Sequence, residues 1–154
     1  MRTKIISAFP GSGKSVFHKK NELTTLDSDS SGYSWVKGIN GNLYRNDNFP
    51  QNYIDHIKEN IGKYEFIFVS SHKEVRTALL DNNIFHYVVY PDITRKDEFI
   101  KRYRERGNDD PFIQLVTKNW NDWQNEMLSL DDGCKLIYMY APDNLEDVLM
   151  KELT

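Results

Sequence analysis

Phe9-Pro10-Gly11-Ser12-Gly13-Lys14-Ser15 follows directly on the short apolar run Lys4 to Ala8. A strand that turns through glycines into Gly-Lys-Ser and then a helix is a device for holding phosphates. Main-chain N–H groups surround the phosphate oxygens, glycine lets the backbone come close, the lysine reaches the β- and γ-phosphates, and the serine hydroxyl ligates Mg²⁺. Gly11, Ser12, Gly13, Lys14, Ser15 and Val16 are therefore the expected contacts of a nucleoside triphosphate. The pattern G-x-x-x-x-G-K-[ST] departs from its usual form once, with Ala8 in place of the first glycine. Ala8 is small and stands where the turn only begins.

Transfer of a phosphoryl group needs an acceptor oxygen in line and, for a hydroxyl acceptor, a carboxylate within reach of its proton. Asp27 ends the second apolar run and is the expected catalytic carboxylate and a second Mg²⁺ contact beside Ser15. Asp29, two residues on, is expected to touch the acceptor or share the metal's shell. After the third run stands Ser70-Ser71-His72 where many phosphate-loop enzymes carry an aspartate, so Ser70 or Asp27 has to take that place. Arg76, one turn further, is expected to grip an acceptor phosphate, and Trp35 to contact the acceptor. In Thr94 to Gly107, a rotation of 100° per residue puts Arg95, Arg102 and Arg106 on one stripe and turns Arg104 away. Such a stripe suits a lid, residues 94–110, that neutralises charge on a transferring group: Arg102 and Arg106 as catalytic cations beside Lys14, and Arg95 on the substrate.

Five apolar runs would position these residues: Lys4 to Ala8, Leu23 to Leu26, Phe66 to Val69, His86 to Tyr90 and Lys135 to Tyr140. Helical segments separate most of them, which predicts a parallel sheet with right-handed crossovers and helices on both faces. Ser71 with Glu74 and Thr94 with Asp97 have capping-box spacing, and Asp110 before Pro111 reads as a helix start. Phe112, Val116, Trp120, Trp123 and Met127 repeat at helical spacing and read as a core stripe. Residues 28–49 read as a long irregular loop on the acceptor side, rich in Gly, Asn and Ser yet carrying Tyr33, Trp35, Tyr44 and Phe49.

The 154 residues fit one domain, 1–154. With 39% hydrophobic and 28% charged residues, and no apolar run near the length of a membrane span, a globular protein of the cytoplasm is expected. A net charge of −3 gives no overall electrostatic footprint for duplex nucleic acid. The single cysteine, Cys134, reads as a buried structural thiol.

Taken together, FPGSGKS, LDSDSS, SSHKEVR and RYRERG make the chain resemble the nucleoside monophosphate kinase-like branch of P-loop kinases, and more narrowly the small kinase-like proteins of tailed bacteriophages. The resemblance implies a three-layer α/β/α P-loop NTPase fold with a five-stranded parallel sheet in the order 2-3-1-4-5. It also implies ATP and Mg²⁺ as cofactors, a nucleotide or nucleoside-like acceptor over Asp27 and residues 28–49, a mobile arginine lid, and residence in the host cytoplasm for a phage-encoded chain. Some phage relatives resemble DNA kinases acting on a hydroxymethylated pyrimidine such as 5-hydroxymethyluracil, which makes DNA an alternative acceptor. A non-catalytic nucleotide-binding module is a further alternative. The Asp-Gly-x-Pro-Arg acceptor motif of monophosphate kinases is absent, and so is the Asn-Lys-x-Asp guanine motif.

Overall fold

A computed structural model describes residues 2–154. It begins with strand β1 (Lys4–Ala8), helix α1 (Lys14–Lys20) and strand β2 (Thr25–Asp27). Helix α2 (Ser31–Ser34) and the strands β3 (Trp35–Lys37) and β4 (Leu43–Arg45) come next, followed by α3 (Gln51–Asn60), β5 (Phe66–Val69) and α4 (Lys73–Asp81). The chain closes with β6 (His86–Pro91), α5 (Lys96–Glu105), α6 (Asp110–Glu126), β7 (Cys134–Met139) and α7 (Leu145–Leu153), with single 3₁₀ turns at Ile93–Arg95 and Met127–Ser129.

Five strands pair in parallel in the order β2-β5-β1-β6-β7. Numbered through all seven strands, this differs from the expected 2-3-1-4-5. The difference enters through β3 and β4, which form a separate antiparallel hairpin between the second and third strands of the sheet. Successive residues of β1 point to opposite faces. Ile6 joins a core with Phe66, Phe68, Phe17 of α1 and Val148 and Leu149 of α7. Ile5 joins another with Ile67, Val69, Tyr53, Ile54 and Ile57 of α3, and Val75 and Leu79 of α4. Helices therefore cover both faces.

Residues 28–49 are more ordered than their composition suggests. Asp29 accepts a hydrogen bond from the Ser31 amide at 2.9 Å and so starts α2. The hairpin is tied back through the Asn46 amide to the Ser34 carbonyl. No inward face marks the hairpin in the sequence, because Trp35, Val36, Leu43 and Tyr44 are all exposed.

Three expected helix starts are corrected. His72, with no side-chain cap, precedes α4 in place of the Ser71–Glu74 box. The Thr94–Asp97 box gives way to Asp92, whose carboxylate takes the Thr94 amide at the start of the 3₁₀ turn. Asp109, one residue earlier than expected, caps α6 through the Phe112 amide at 2.9 Å. The stripe on α6 is core as expected, with Val116 and Trp120 buried and Phe112 and Trp123 packed on the same cluster. Among the described residues no helix is long and apolar enough to cross a membrane.

Candidate functional site

A cavity of about 770 Å³ opens at the carboxyl ends of β1 and β5, the usual position of a ligand crevice in an open parallel sheet. Its floor is the turn from β1 into α1. Gly11 and Gly13 have φ of 84° and 99°, in the left-handed region that glycine enters without cost. A Cβ on Gly11 would lie 2.9 Å from the Tyr103 ring, so close packing as well as conformation demands glycine there.

The turn is braced from four sides. The Ser12 hydroxyl donates to the Phe9 carbonyl, the Leu145 amide at the start of α7 donates to the Ser12 carbonyl at 2.8 Å, and the Tyr103 hydroxyl donates to the Pro10 carbonyl at 2.7 Å. Phe9 itself is buried, edge-on to Tyr90 and Trp120 at 4.8 and 5.4 Å between centroids. Burial in this aromatic cluster pushes the Tyr90 hydroxyl up to about 12. A turn made of glycine and serine is thus held in place by neighbours from β6, α5, α6 and α7.

Lys14 and Ser15, the first residues of α1, line the cavity together with Val16. The Lys14 ammonium stands 3.2 Å from Asp27 Oδ1 at the end of β2, and both side chains are partly exposed. That oxygen is buried and makes no hydrogen bond of good geometry among the described residues, so the contact there is a bare charge pair. A carboxylate held this way can exchange its partner when an anion draws the lysine off. Oxygen donors such as Ser15 and Asp27 suit Mg²⁺, which usually keeps several waters and takes the rest of its shell from phosphates. Among the described residues no group of three or more His, Cys, Asp or Glu side chains gathers as a metal cluster.

Arg102 and Arg106 line the same cavity from α5 and its end. Arg102 donates to the Gly11 carbonyl at 2.8 Å and to Glu98, while Arg106 donates to Asn108 Oδ1 at 2.5 Å and lies over the Tyr103 ring. Opposite stand Val69, Ser70, Ser71 and His72. Ser70 is partly engaged, its Oγ accepting from the Ser30 amide at 3.1 Å.

Ser12 and Asp27 are absent from the cavity wall, Ser12 being buried within the turn and Asp27 joined to it through Lys14, and four further expected contacts lie elsewhere. Arg95 is buried in the 3₁₀ turn ahead of α5, where helical projection does not apply. Its guanidinium holds Glu98 with two bonds of 2.8 and 2.7 Å and donates to the carbonyls of Met139 and Asp143. Arg76 points away from the cavity, into the space between α4 and α6. Asp29 serves α2. Trp35 sits exposed on the hairpin, with the Arg45 guanidinium 5.5 Å from its ring centre.

Glu98, not expected in the site, joins the fixed Arg95 to the cavity arginine Arg102. Hydrogen bonding from Arg95, then attraction by Arg102 and Arg95, hold its carboxyl below the usual range against the opposing effect of burial. The i, i+3 and i, i+4 spacings from Arg95 and to Arg102 were the available signal. Phe112, expected only in the core stripe, is a wall of the cavity, and Tyr103 braces its floor. Cys134, expected to be buried, is half-buried, and its thiol donates to the Asp131 carbonyl at 3.3 Å. No protein-family model and no curated protein matches this chain.

Proposed function

We propose that the chain is an ATP-dependent phosphotransferase of the P-loop kind, with Gly11 to Val16 on the nucleotide phosphates and an acceptor in the crevice toward Ser70 and His72. The observation that carries this reading is the Lys14–Asp27 charge pair at the mouth of a braced glycine turn. An incoming triphosphate, carrying several negative charges, takes Lys14 from Asp27, and the same event frees the carboxylate to accept a proton. The acceptor oxygen then bonds to the terminal phosphorus as the bond to the β–γ bridging oxygen breaks. The hydroxyl proton passes to Asp27, and the leaving diphosphate keeps the electron pair, with its charge met by Lys14 and by Arg102 once it lets go of Gly11. With Asp27 taking the proton, Mg²⁺ would be held by the phosphates and Ser15 and would supply further neutralisation of the triphosphate charge.

A hydroxyl acceptor is favoured over a phosphate. Lys14, Arg102 and Arg106 all stand on the loop and α5 side, and the wall of Ser70, Ser71 and His72 offers no arginine, because Arg76 is turned away. A second reading, a hydroxyl carried on DNA, is favoured by the exposed aromatic hairpin. Trp35 and Tyr44 are exposed on it, and its Arg45 is paired at 2.6 Å to Glu74 of α4.

Radiolabel transfer from ATP onto nucleosides, nucleoside monophosphates, plain DNA and 5-hydroxymethyluracil DNA tests both readings. Tight ATP binding without transfer to any of them would leave only a nucleotide-binding module. Asp27→Asn discriminates the acceptor class: kcat is expected to fall roughly 10²-fold for a hydroxyl acceptor and far less for a phosphate that is already ionised.

A further inference from the structure

We propose that the space between α4 and α6 is a second binding site, for a small carboxylate that carries a proton donor on the neighbouring carbon, the α-amino and α-hydroxy acid class. The space measures about 240 Å³, and is lined by Lys73, Arg76 and Leu80 of α4, His86 and Val88 of β6, and Glu126, Leu130, Asp131 and Cys134 beyond. That is roughly eight times the volume of a water molecule in the liquid.

Two of its side chains are buried with hydrogen-bonding capacity unused. Arg76 is 7% exposed, and only its Nε is engaged, donating to the Ser71 carbonyl at 3.0 Å. Its terminal nitrogens make no hydrogen bond among the described residues. The nearest carboxylate, Glu126, is 3.7 Å away. A guanidinium left in this state presents parallel N–H donors that match a carboxylate. His86 is fully buried, and its Nδ1 lies 3.1 Å from the Ile84 carbonyl, which can only accept. Nδ1 therefore carries the hydrogen, and Nε2 keeps its lone pair. That lone pair is buried and has no partner among the described residues. Burial, and more weakly the neighbouring Arg76, hold the imidazole below its usual pKa, so it stays an acceptor.

A ligand completing this site must accept from Arg76 and donate to His86. A carboxylate bearing an adjacent ammonium or hydroxyl does both. Charge agrees with this: Lys73 and Arg76 face Glu126 and Asp131, so the lining is balanced and suits a zwitterion or a monoanion with a donor group better than a bare dianion. Leu80, Val88 and Leu130 leave an apolar wall for a short side chain. A cation is disfavoured by Arg76, and the Cys134 thiol already donates to the Asp131 carbonyl.

The experiment is titration of the full chain with L-alanine, L-lactate and propionate, followed by calorimetry and by the ¹⁵N shift of His86 Nε2. L-alanine or L-lactate is expected to bind at millimolar concentration and to move the Nε2 signal, and propionate, which lacks the donor, to bind at least about tenfold more weakly. Tighter binding of L-alanine identifies an ammonium as the partner of His86, and tighter binding of L-lactate a hydroxyl. Arg76→Lys, which keeps the charge and loses the fork, is expected to weaken either about tenfold. Glu126→Gln, at a half-exposed position, is expected to weaken L-alanine more than L-lactate, with thermal melts confirming that both variants are folded. Equal binding of propionate, or no movement of Nε2 with any of the three, overturns the proposal.

Discussion

Arg102 and Arg95 stand within two turns of one another and share Glu98, yet the fold uses them in opposite ways. Arg95 is 3% exposed and spends its donors on two main-chain carbonyls, one at the end of β7 and one in the turn before α7, and on both oxygens of Glu98. Arg102 is partly exposed, faces the cavity, and rests on a single carbonyl of the glycine turn besides Glu98. The first arginine belongs to the scaffold, and the second can change partners. Lys14, paired with Asp27 across 3.2 Å and partly open to solvent, falls in the second class. Cations whose contacts are few and exposed can be moved by a ligand at little cost. A cation buried on main-chain carbonyls cannot.

The contrast is sharpest at Lys14. Lys14→Ala is expected to abolish phosphoryl transfer while shifting the melting transition only modestly, because a partly exposed ion pair contributes about 1 kcal/mol. Wild-type turnover in this variant, measured by the same transfer assay, would remove the phosphate-binding reading. Arg95→Ala should behave inversely. It strands the Met139 and Asp143 carbonyls and one arm of Glu98, and a loss of roughly 3 kcal/mol is expected in denaturant unfolding. A loss below about 1 kcal/mol would put Arg95 in the same class as Arg102.

Smaller effects are expected along α5. Arg102→Ala and Arg106→Ala should lower kcat by roughly tenfold and change the KM for ATP less, since their charge is needed most as the terminal phosphoryl group moves. Arg104 is exposed and absent from the cavity wall, so Arg104→Ala should stay within about 0.5 kcal/mol in either measure. Equal, small effects at all three positions would reduce α5 to a solvated helix.

Two strands, Lys4–Ala8 and Phe66–Val69, are legible residue for residue, because continuous apolar runs between polar turns have few other ways to be buried. The second strand is displaced from Leu23 to Leu26 onto Thr25–Asp27, since Asn21 closes a turn that takes the amides of Thr24 and Thr25 and leaves Leu23 in solvent. The glycine turn with Lys14 was legible because its spacing is set by local geometry. Asp27 was legible as the end of a strand. Arg76 and Arg95 were misplaced for one reason: helical projection gives the face of a helix and not what lies against that face. Arg76 meets α6 across the α4 face, and Arg95 precedes α5 in a 3₁₀ turn. The β3–β4 hairpin could not be read from alternation, because neither of its faces is buried.

Glu98 offers the finest test of the difference between the two arginines, since it is held by both. The hydrogen bond from Arg95 is the largest influence lowering its pKa, with Arg102 adding attraction. A carboxyl whose pKa is lower in the folded chain than in the unfolded one contributes stability that is present above the usual carboxylate pKa, and that is lost as the pH falls through the folded value. Thermal melts of the wild type and Glu98→Gln from pH 7 to pH 3 should therefore show the wild type more stable at neutral pH, with the gap closing on the acid side. The gap should be smaller than the loss in Arg95→Ala, because the Glu98 side chain is 40% exposed and its charge is screened by water. Arg95 also keeps its two carbonyl partners in Glu98→Gln, so the scaffold survives while Arg102 loses its restraint. In the transfer assay this variant should then change kcat more than Arg104→Ala does. A gap that persisted undiminished to pH 3 would mean that Glu98 acts by shape alone, and that no charge links the fixed arginine to the movable one.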